Sequence, residues 1–232
     1  MMIIDKDLAK EWYPTFWKST YFKPQQICYS TKEEKDDRIL IIEKGTLIVQ
    51  VATEDGKKIH TEILTKGNVI NAEALIENHS EWVIKDFIHY QVIALDNVEI
   101  YEIEKEFFLS HLYLDPRKYH QLIEEIIKQF ITVSFSHILA NKKTAVKISW
   151  ALVRIAKQVG EKLTDDLYRL PSFANRTFIA QIANAGKART SEAIRELDDY
   201  GIFEKCDKEL IISRSRLQEY LKAESFSEYS VF

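Results

Sequence analysis

From about residue 20 to residue 104 the chain is a succession of short apolar runs. Several alternate apolar with polar residues, the mark of half-buried antiparallel strands. The runs are Arg38–Glu43, Thr46–Thr53, Lys58–Leu64, Val69–Ile70, Ile88–Leu95 and Val98–Ile103. Gly45, Gly56 and Gly67 stand 11 residues apart, each where one run gives way to the next. Glu54-Asp55-Gly56-Lys57 is a hairpin-turn signal. Short strands with evenly spaced turns predict a barrel or sandwich, a jelly-roll-like β-roll of the kind that commonly encloses a pocket.

At Asp115-Pro116 the period changes. A capping residue followed by proline opens a helix. Tyr119, Leu122, Ile123, Ile126, Ile127, Phe130, Val133 and Ile138 continue at spacings near three and four for about 25 residues. So wide an apolar face predicts a helix that packs on its own barrel on one side and on a second copy on the other. The dimerisation candidates are Leu122, Ile123, Ile126, Ile127, Phe130 and Val133; burial of the helix within one chain is the alternative. A further helix is expected from Thr144 to Val159, stopped at Gly160.

The stretch RTFIAQIANAGKARTSEAIRELDDYG, residues 176–201, carries the most information. Apolar residues fall at helical spacing at Phe178, Ile179, Ile182 and Ala183, then again at Ala193, Ile194 and Leu197. Between them Asn184-Ala185-Gly186 reads as a tight turn. Two short helices joined by such a turn outline a helix-turn-helix, whose second helix lies in the DNA major groove. Its exposed N-terminal positions are Lys187, Arg189, Ser191 and Glu192, with Arg195 a turn further on. An ordinary helical hairpin with a polar outer face has the same spacing. Gly201 closes the second helix, and Ile202-Phe203, Cys206-Asp207-Lys208 and Leu210-Ile211-Ile212 read as a small β-hairpin, a wing.

Composition changes this picture little; charge changes it more. The 232 residues are 46% hydrophobic and 29% charged, which suits two globular domains. The net charge of −4 looks wrong for a DNA binder. It is unevenly spread: residues 1–140 hold 16 Lys and Arg against 23 Asp and Glu, a net of −7, whereas residues 141–223 hold 16 against 11, a net of +5. Positive charge is thus concentrated in the half with the helix-turn-helix. No apolar run approaches the length of a membrane span. The opening MMIIDKDLAKEWY has acids and no long apolar core, so no signal peptide is expected. Cys28 and Cys206 have no metal-ligand spacing, and a reduced, cytoplasmic protein is the simplest expectation.

The order β-roll, long helix, short helix, winged helix-turn-helix resembles the Crp/Fnr family of transcription regulators. EKGTLIVQVATEDGKKIHTEILTKGNVI is similar to that family's β-roll, VKISWALVRIAKQVG to the helix leading into its DNA-binding domain, and IAQIANAGKARTSEAIRELDDYGIF to its helix-turn-helix. The resemblance spans roughly residues 20–215. It implies an α+β chain with a sensory β-roll over 1–114, a dimerisation helix over 115–141 and a winged helix-turn-helix over 142–232. The implied partners are double-stranded DNA bearing a pseudo-palindromic operator and a second copy of the chain, with RNA polymerase as a further candidate. By the same resemblance Arg176 and Thr177 match phosphate-contacting positions after an N-cap at Asn175. Lys205 and Lys208 in the wing reach the DNA backbone further out. Lys187 is placed to donate to a guanine edge, Glu192 to accept from a cytosine amino group, and Arg189 to meet phosphate.

Departures from the family pattern limit the effector. Cyclic-nucleotide binders have a Gly-Glu-Leu turn for the ribose, where this chain has Asn71-Ala72-Glu73-Ala74-Leu75, and an Arg-Ser or Arg-Thr pair for the phosphate, where it has Ile88 and His89. A buried phosphate without a cationic partner is costly, which argues against cyclic AMP and cyclic GMP. Cys28 alone in the N-terminal half argues against an iron–sulfur cluster. The scattered His60, His79, His89, His111, His120 and His137 mark no haem ligand. The virulence regulators of Gram-positive bacteria in this family also lack the nucleotide-binding residues, so an unknown effector, or none, fits. In the recognition helix the family's Glu is replaced by Ala188 and its Arg by Glu192, so its usual half-site is not expected. An enzyme is not expected, since no nucleophile–base motif, metal spacing or glycine-rich phosphate loop occurs; the acidic pairs Asp165-Asp166 and Asp198-Asp199 read as solvated. A protein-interaction module that keeps the fold without binding DNA remains the alternative function.

Overall fold

The structure is a computed structural model and describes residues 17–32, 38–52, 56, 58–75, 89–114, 116–206 and 209–224. The chain divides into two compact units, one of residues 1–57 and 61–132, the other of residues 58–60 and 133–232.

In the first unit lie β1 (Trp17–Phe22), β2 (Ile27–Ser30), β3 (Arg38–Lys44), β4 (Leu47–Ala52), β5 (Lys58–Leu64), β6 (Val69–Ile70), β7 (Tyr90–Ala94) and β8 (Val98–Glu104), β5 beginning in residues grouped with the second. They form two antiparallel sheets, ordered β1-β8-β3-β6 and β2-β7-β4-β5. The expected runs from Arg38 onward are all present as strands, and β1 and β2 precede them. Leu40 and Ile42 of β3 meet Tyr29, Leu47, Val92 and Ile100 in one core. Ile39 and Ile41, on the opposite side of the same strand, meet Val69, Ala74, Tyr101 and Phe108 in another.

Half-buried alternation therefore does not describe β3, which is buried on both faces. The cover on its second face is a helix that the periodicity did not predict, α1 (Lys105–Leu114), through Phe108 and the half-buried Phe107 and Leu109. It follows β8 without a break and without a Ser, Thr, Asp or Asn cap, so nothing in the sequence separates strand from helix. Gly45 is required where β3 turns into β4. Its φ is +96°, and a Cβ there would lie 2.6 Å from the Asn97 carbonyl oxygen. That close approach lets the Thr46 N–H donate to Asp96 at 2.8 Å.

The long helix, α2 (Pro116–Ile138), begins at the proline. A 3-10 turn, Leu139–Asn141, follows it. The second unit is built on α3 (Thr144–Val159), whose residues from Ala145 to Ala156 are buried apart from the half-buried Lys147 and Trp150. Around it stand α4 (Arg176–Ile182), α5 (Lys187–Asp199) and α6 (Arg214–Ala223).

The expected two-stranded wing is part of a four-stranded sheet, β11-β12-β10-β9, with β9 (Glu161–Lys162), β10 (Leu167–Arg169), β11 (Phe203–Cys206) and β12 (Glu209–Ser213). Two and three residues are too few for a period to show in β9 and β10. The reading of Asp166 as a solvated acid is corrected here. Its carboxylate accepts from the Ser213 hydroxyl and the Ser215 N–H, both at 2.7 Å, and its carbonyl accepts from the Arg214 N–H at 2.7 Å, which ties the β9–β10 turn to the start of α6. Burial pushes this carboxyl up, but the hydrogen bonds outweigh it and hold it below its usual range. A group with a lowered native pKa contributes stability above its ordinary value of 3.8 and loses it as pH falls through the native value. Acid melting curves of Asp166→Asn should lack this contribution, and the variant should lose about 1 kcal/mol at neutral pH.

Candidate nucleic-acid interface

Asn175 caps α4, its side-chain oxygen accepting from the Phe178 N–H at 3.0 Å. Phe178, Ile179 and Ile182 are buried, and Arg176 and Thr177 are exposed in the first turn. The chain then turns sharply. Asn184 takes the left-handed conformation at φ +45°, which asparagine tolerates, and the Ala185 N–H donates to the Ala180 carbonyl at 2.9 Å. Gly186, in contrast, has an ordinary φ of −70° and acts as the N-cap of α5. Its carbonyl accepts from both the N–H and the hydroxyl of Thr190, at 2.9 and 3.0 Å.

Thr190, Ala193 and Leu197 form the buried face of α5. At 3.6 residues per turn the face directly opposite is Ala188, Glu192, Arg195 and Asp199, all exposed. Lys187 and Arg189 are exposed on either flank of it. Ser191 is half-buried, and its hydroxyl donates back to the Lys187 carbonyl at 3.3 Å. Lys187 and Arg189 lie in the first turn and the acids Glu196, Asp198 and Asp199 in the last, so these side chains add to the positive potential at the N-terminal end of the helix. Gly201 ends α5 in the left-handed region, φ +79°, with its N–H on the Asp198 carbonyl and the Ile202 N–H on the Leu197 carbonyl, a Schellman closure. The backbone of Lys205 pairs with Leu210 in the wing. Lys208 lies outside the described residues.

Sequence reasoning missed α6. Its signals were present: Ser213 accepts from the Arg216 N–H at 3.3 Å as an N-cap, and Leu217, Tyr220 and Leu221 follow at helical spacing and are buried. Tyr220 donates to Glu196 of α5 at 2.6 Å, so α6 touches the candidate recognition helix directly.

Along α2, Ile123, Ile127, Phe130, Ile131 and Val133 are exposed, an apolar stripe open to solvent. Leu122 and Ile126 belong to the same helix. In the β-roll the stretch expected to differ from a nucleotide site is the turn Asn71 followed by a 3-10 helix, Ala72–Leu75. Asn71 is buried with φ +62°; it accepts from the Tyr29 hydroxyl at 2.9 Å and donates to the Arg38 carbonyl at 2.8 Å. Glu73 accepts from the Tyr90 hydroxyl at 2.5 Å, and burial followed by the Glu73 charge pushes the Tyr90 phenol far up. His89 is exposed, and Ile88 lies outside the described residues. Cys28 is buried and its thiol is pushed up to about 12, so it is no thiolate at neutral pH. Burial and then Lys58 hold His60 down at about 4. Among the described residues no cluster of three His, Cys, Asp or Glu could hold a metal, and no helix is long and apolar enough to cross a membrane.

The order of elements, a β-roll, a long helix and a helix-turn-helix with a small sheet, is a fold shared with solved regulator structures. Residues 19–112 match the family described as the cyclic nucleotide-binding domain. The chain is similar to a cyclic nucleotide-binding domain-containing protein from Listeria monocytogenes EGD-e, with a TM-score of 0.74 and 18% identity over 90% of this chain and 95% of that one. It is similar to the c-di-GMP-responsive global regulator CLP of Xanthomonas campestris, with a TM-score of 0.70 and 12% identity over 90% and 99% of the two chains. A CRP/FNR-family transcriptional regulator from Thermus thermophilus aligns with a TM-score of 0.67 and 15% identity over 87% and 97%. No curated protein sequence matches the chain.

Proposed function

We propose that this protein is a dimeric, sequence-specific DNA-binding transcription regulator of the cytoplasm, with residues 1–114 as sensory β-roll, 115–141 as dimerisation helix and 142–232 as DNA-binding domain. The observation that carries the reading is α5: a capped helix with one buried face, whose opposite face and N-terminal turns expose Lys187, Ala188, Arg189, Glu192 and Arg195. Lys187 and Glu192 offer a donor and an acceptor to base edges, while Arg176 and Thr177 meet phosphate. Two copies joined along the apolar stripe of α2 would read half-sites about one helical turn, near 34 Å, apart. RNA polymerase is a further partner of this reading. The effector, if one acts, is not a cyclic nucleotide. Asn71 and Glu73, at the ribose position, are already engaged with Tyr29, Arg38 and Tyr90.

Titration of a bound duplex at several salt concentrations tests the reading. Arg176→Ala should weaken all duplexes about equally and shallow the slope of log affinity against log salt by about one. Lys187→Ala should cost about 1–3 kcal/mol on the preferred sequence and little on others. No DNA affinity at physiological salt would leave the protein-interaction module; an unchanged sequence preference in Lys187→Ala would remove that side chain from base reading.

A further inference from the structure

The buried face of α5 is narrow. Thr190 and Ala193 are small, and Leu197 is its one large fully buried side chain. Such packing holds the helix down without fixing its rotation about its own axis, yet that rotation decides which side chains meet a duplex. A second set of contacts grips one flank. Glu196 accepts from the Tyr220 hydroxyl at 2.6 Å and from the Lys143 ammonium at 3.0 Å. Lys143 also pairs with Glu224 at 2.6 Å and lies 5.3 Å over the Tyr220 ring. Tyr200, one turn after Glu196, packs edge-on against the same ring at 5.2 Å.

We propose that Lys143, Tyr220 and Glu224 are positioning residues that grip Glu196 and set the roll of the recognition helix. Lys143 is the residue before α3, just after the 3-10 turn that ends the long helix. Tyr220 lies in the last turn of α6, and Glu224 follows it as the C-cap. The helix is therefore held from two separate points of the chain, neither within the helix-turn-helix. Exposed ion pairs add little to global stability taken singly. A cluster in which one carboxylate takes two donors, and one ammonium takes two carboxylates and a ring, restricts geometry instead. Tyr220 is buried, and its phenol is pushed up to about 12, by burial first and by Glu196 next.

This inference rests on α5 reading DNA, but its test does not depend on that alone. Amide hydrogen exchange is measured on the full chain for wild type, Lys143→Met, Tyr220→Phe and Lys143→Arg, and each is titrated with the preferred duplex across salt. In Lys143→Met and Tyr220→Phe the amides of Ala188 to Arg195 should exchange about fivefold faster while those of α3 stay unchanged. Affinity should fall about five- to tenfold with the salt slope unchanged, because no phosphate contact is lost. Lys143→Arg should restore both. Unchanged α5 exchange in both variants overturns the proposal, and so does a slope shallower by about one with unchanged exchange, which would make Lys143 a phosphate contact. Faster α5 exchange in a protein whose wild type binds no DNA would uphold the grip on the helix and refute the DNA reading instead.

Discussion

Replacing Ile127 and Phe130 together by glutamate should leave the protein monomeric and cut its operator affinity at least about 100-fold. Both side chains are open to solvent in the single chain, 49% and 70% exposed, so the substitution removes little packing from the protomer itself. In a two-fold dimer the same patch faces its own copy. Two glutamates on each helix would then bring four like charges into one apolar seam, and burying an unpaired charge costs several kcal/mol. The loss on DNA follows from geometry. A dimer binds its second half-site from an effective concentration set by the first, and a monomer has no such gain. Sedimentation velocity and duplex titration of the same preparation check both halves. A double variant that still sediments as a dimer would place the interface elsewhere than on this stripe of α2.

Asn71→Ala should cost about 3 kcal/mol of β-roll stability, a large effect for the loss of one polar side chain. Asn71 is 2% exposed and makes two hydrogen bonds, a buried one accepted from Tyr29 of β2 and a partly buried one donated to the carbonyl of Arg38 on β3. It thus joins strands of the two sheets. It does so at φ +62°, a conformation asparagine tolerates better than alanine. Alanine loses both bonds and keeps the strain, whereas Asn71→Gly loses the bonds and relieves the strain, and should recover about 1 kcal/mol. Urea unfolding of the three proteins separates the two contributions. A loss below about 1 kcal/mol for Asn71→Ala would mean that neither bond matters.

The β-roll and the helix-turn-helix were legible because each has its own apolar period and its own punctuation. The glycines at 45, 56 and 67, Pro116 and Gly201 all stand where chain direction or element type changes. α6 had both, a cap at Ser213 and apolar spacing after it, and was still missed; the other elements that escaped lacked one of the two. α1 continues β8 with no cap between Glu104 and Lys105, and β9 and β10 are too short to show a period. The roles of Asn71 and Asp166 depend on partners 42 and 47 residues away, which no local pattern announces. In the turn of the helix-turn-helix the pattern marked Asn184-Ala185-Gly186 without saying which residue bears the positive φ; it is Asn184, not Gly186. The candidate interface was visible as a set of charged positions at one end of a helix. The contacts that hold that helix at its angle, from Lys143 and Tyr220, were not, because they come from outside the motif.

The measurement that bears most directly on the central claim is selection of bound DNA from a random duplex pool by the purified full-length protein, with the affinity of the winners followed against salt. An enriched inverted repeat, its half-sites about one helical turn apart and its binding steeply weakened by salt, is the result this account predicts. A pool that shows no enrichment, together with no salt-dependent affinity for any duplex, would contradict it.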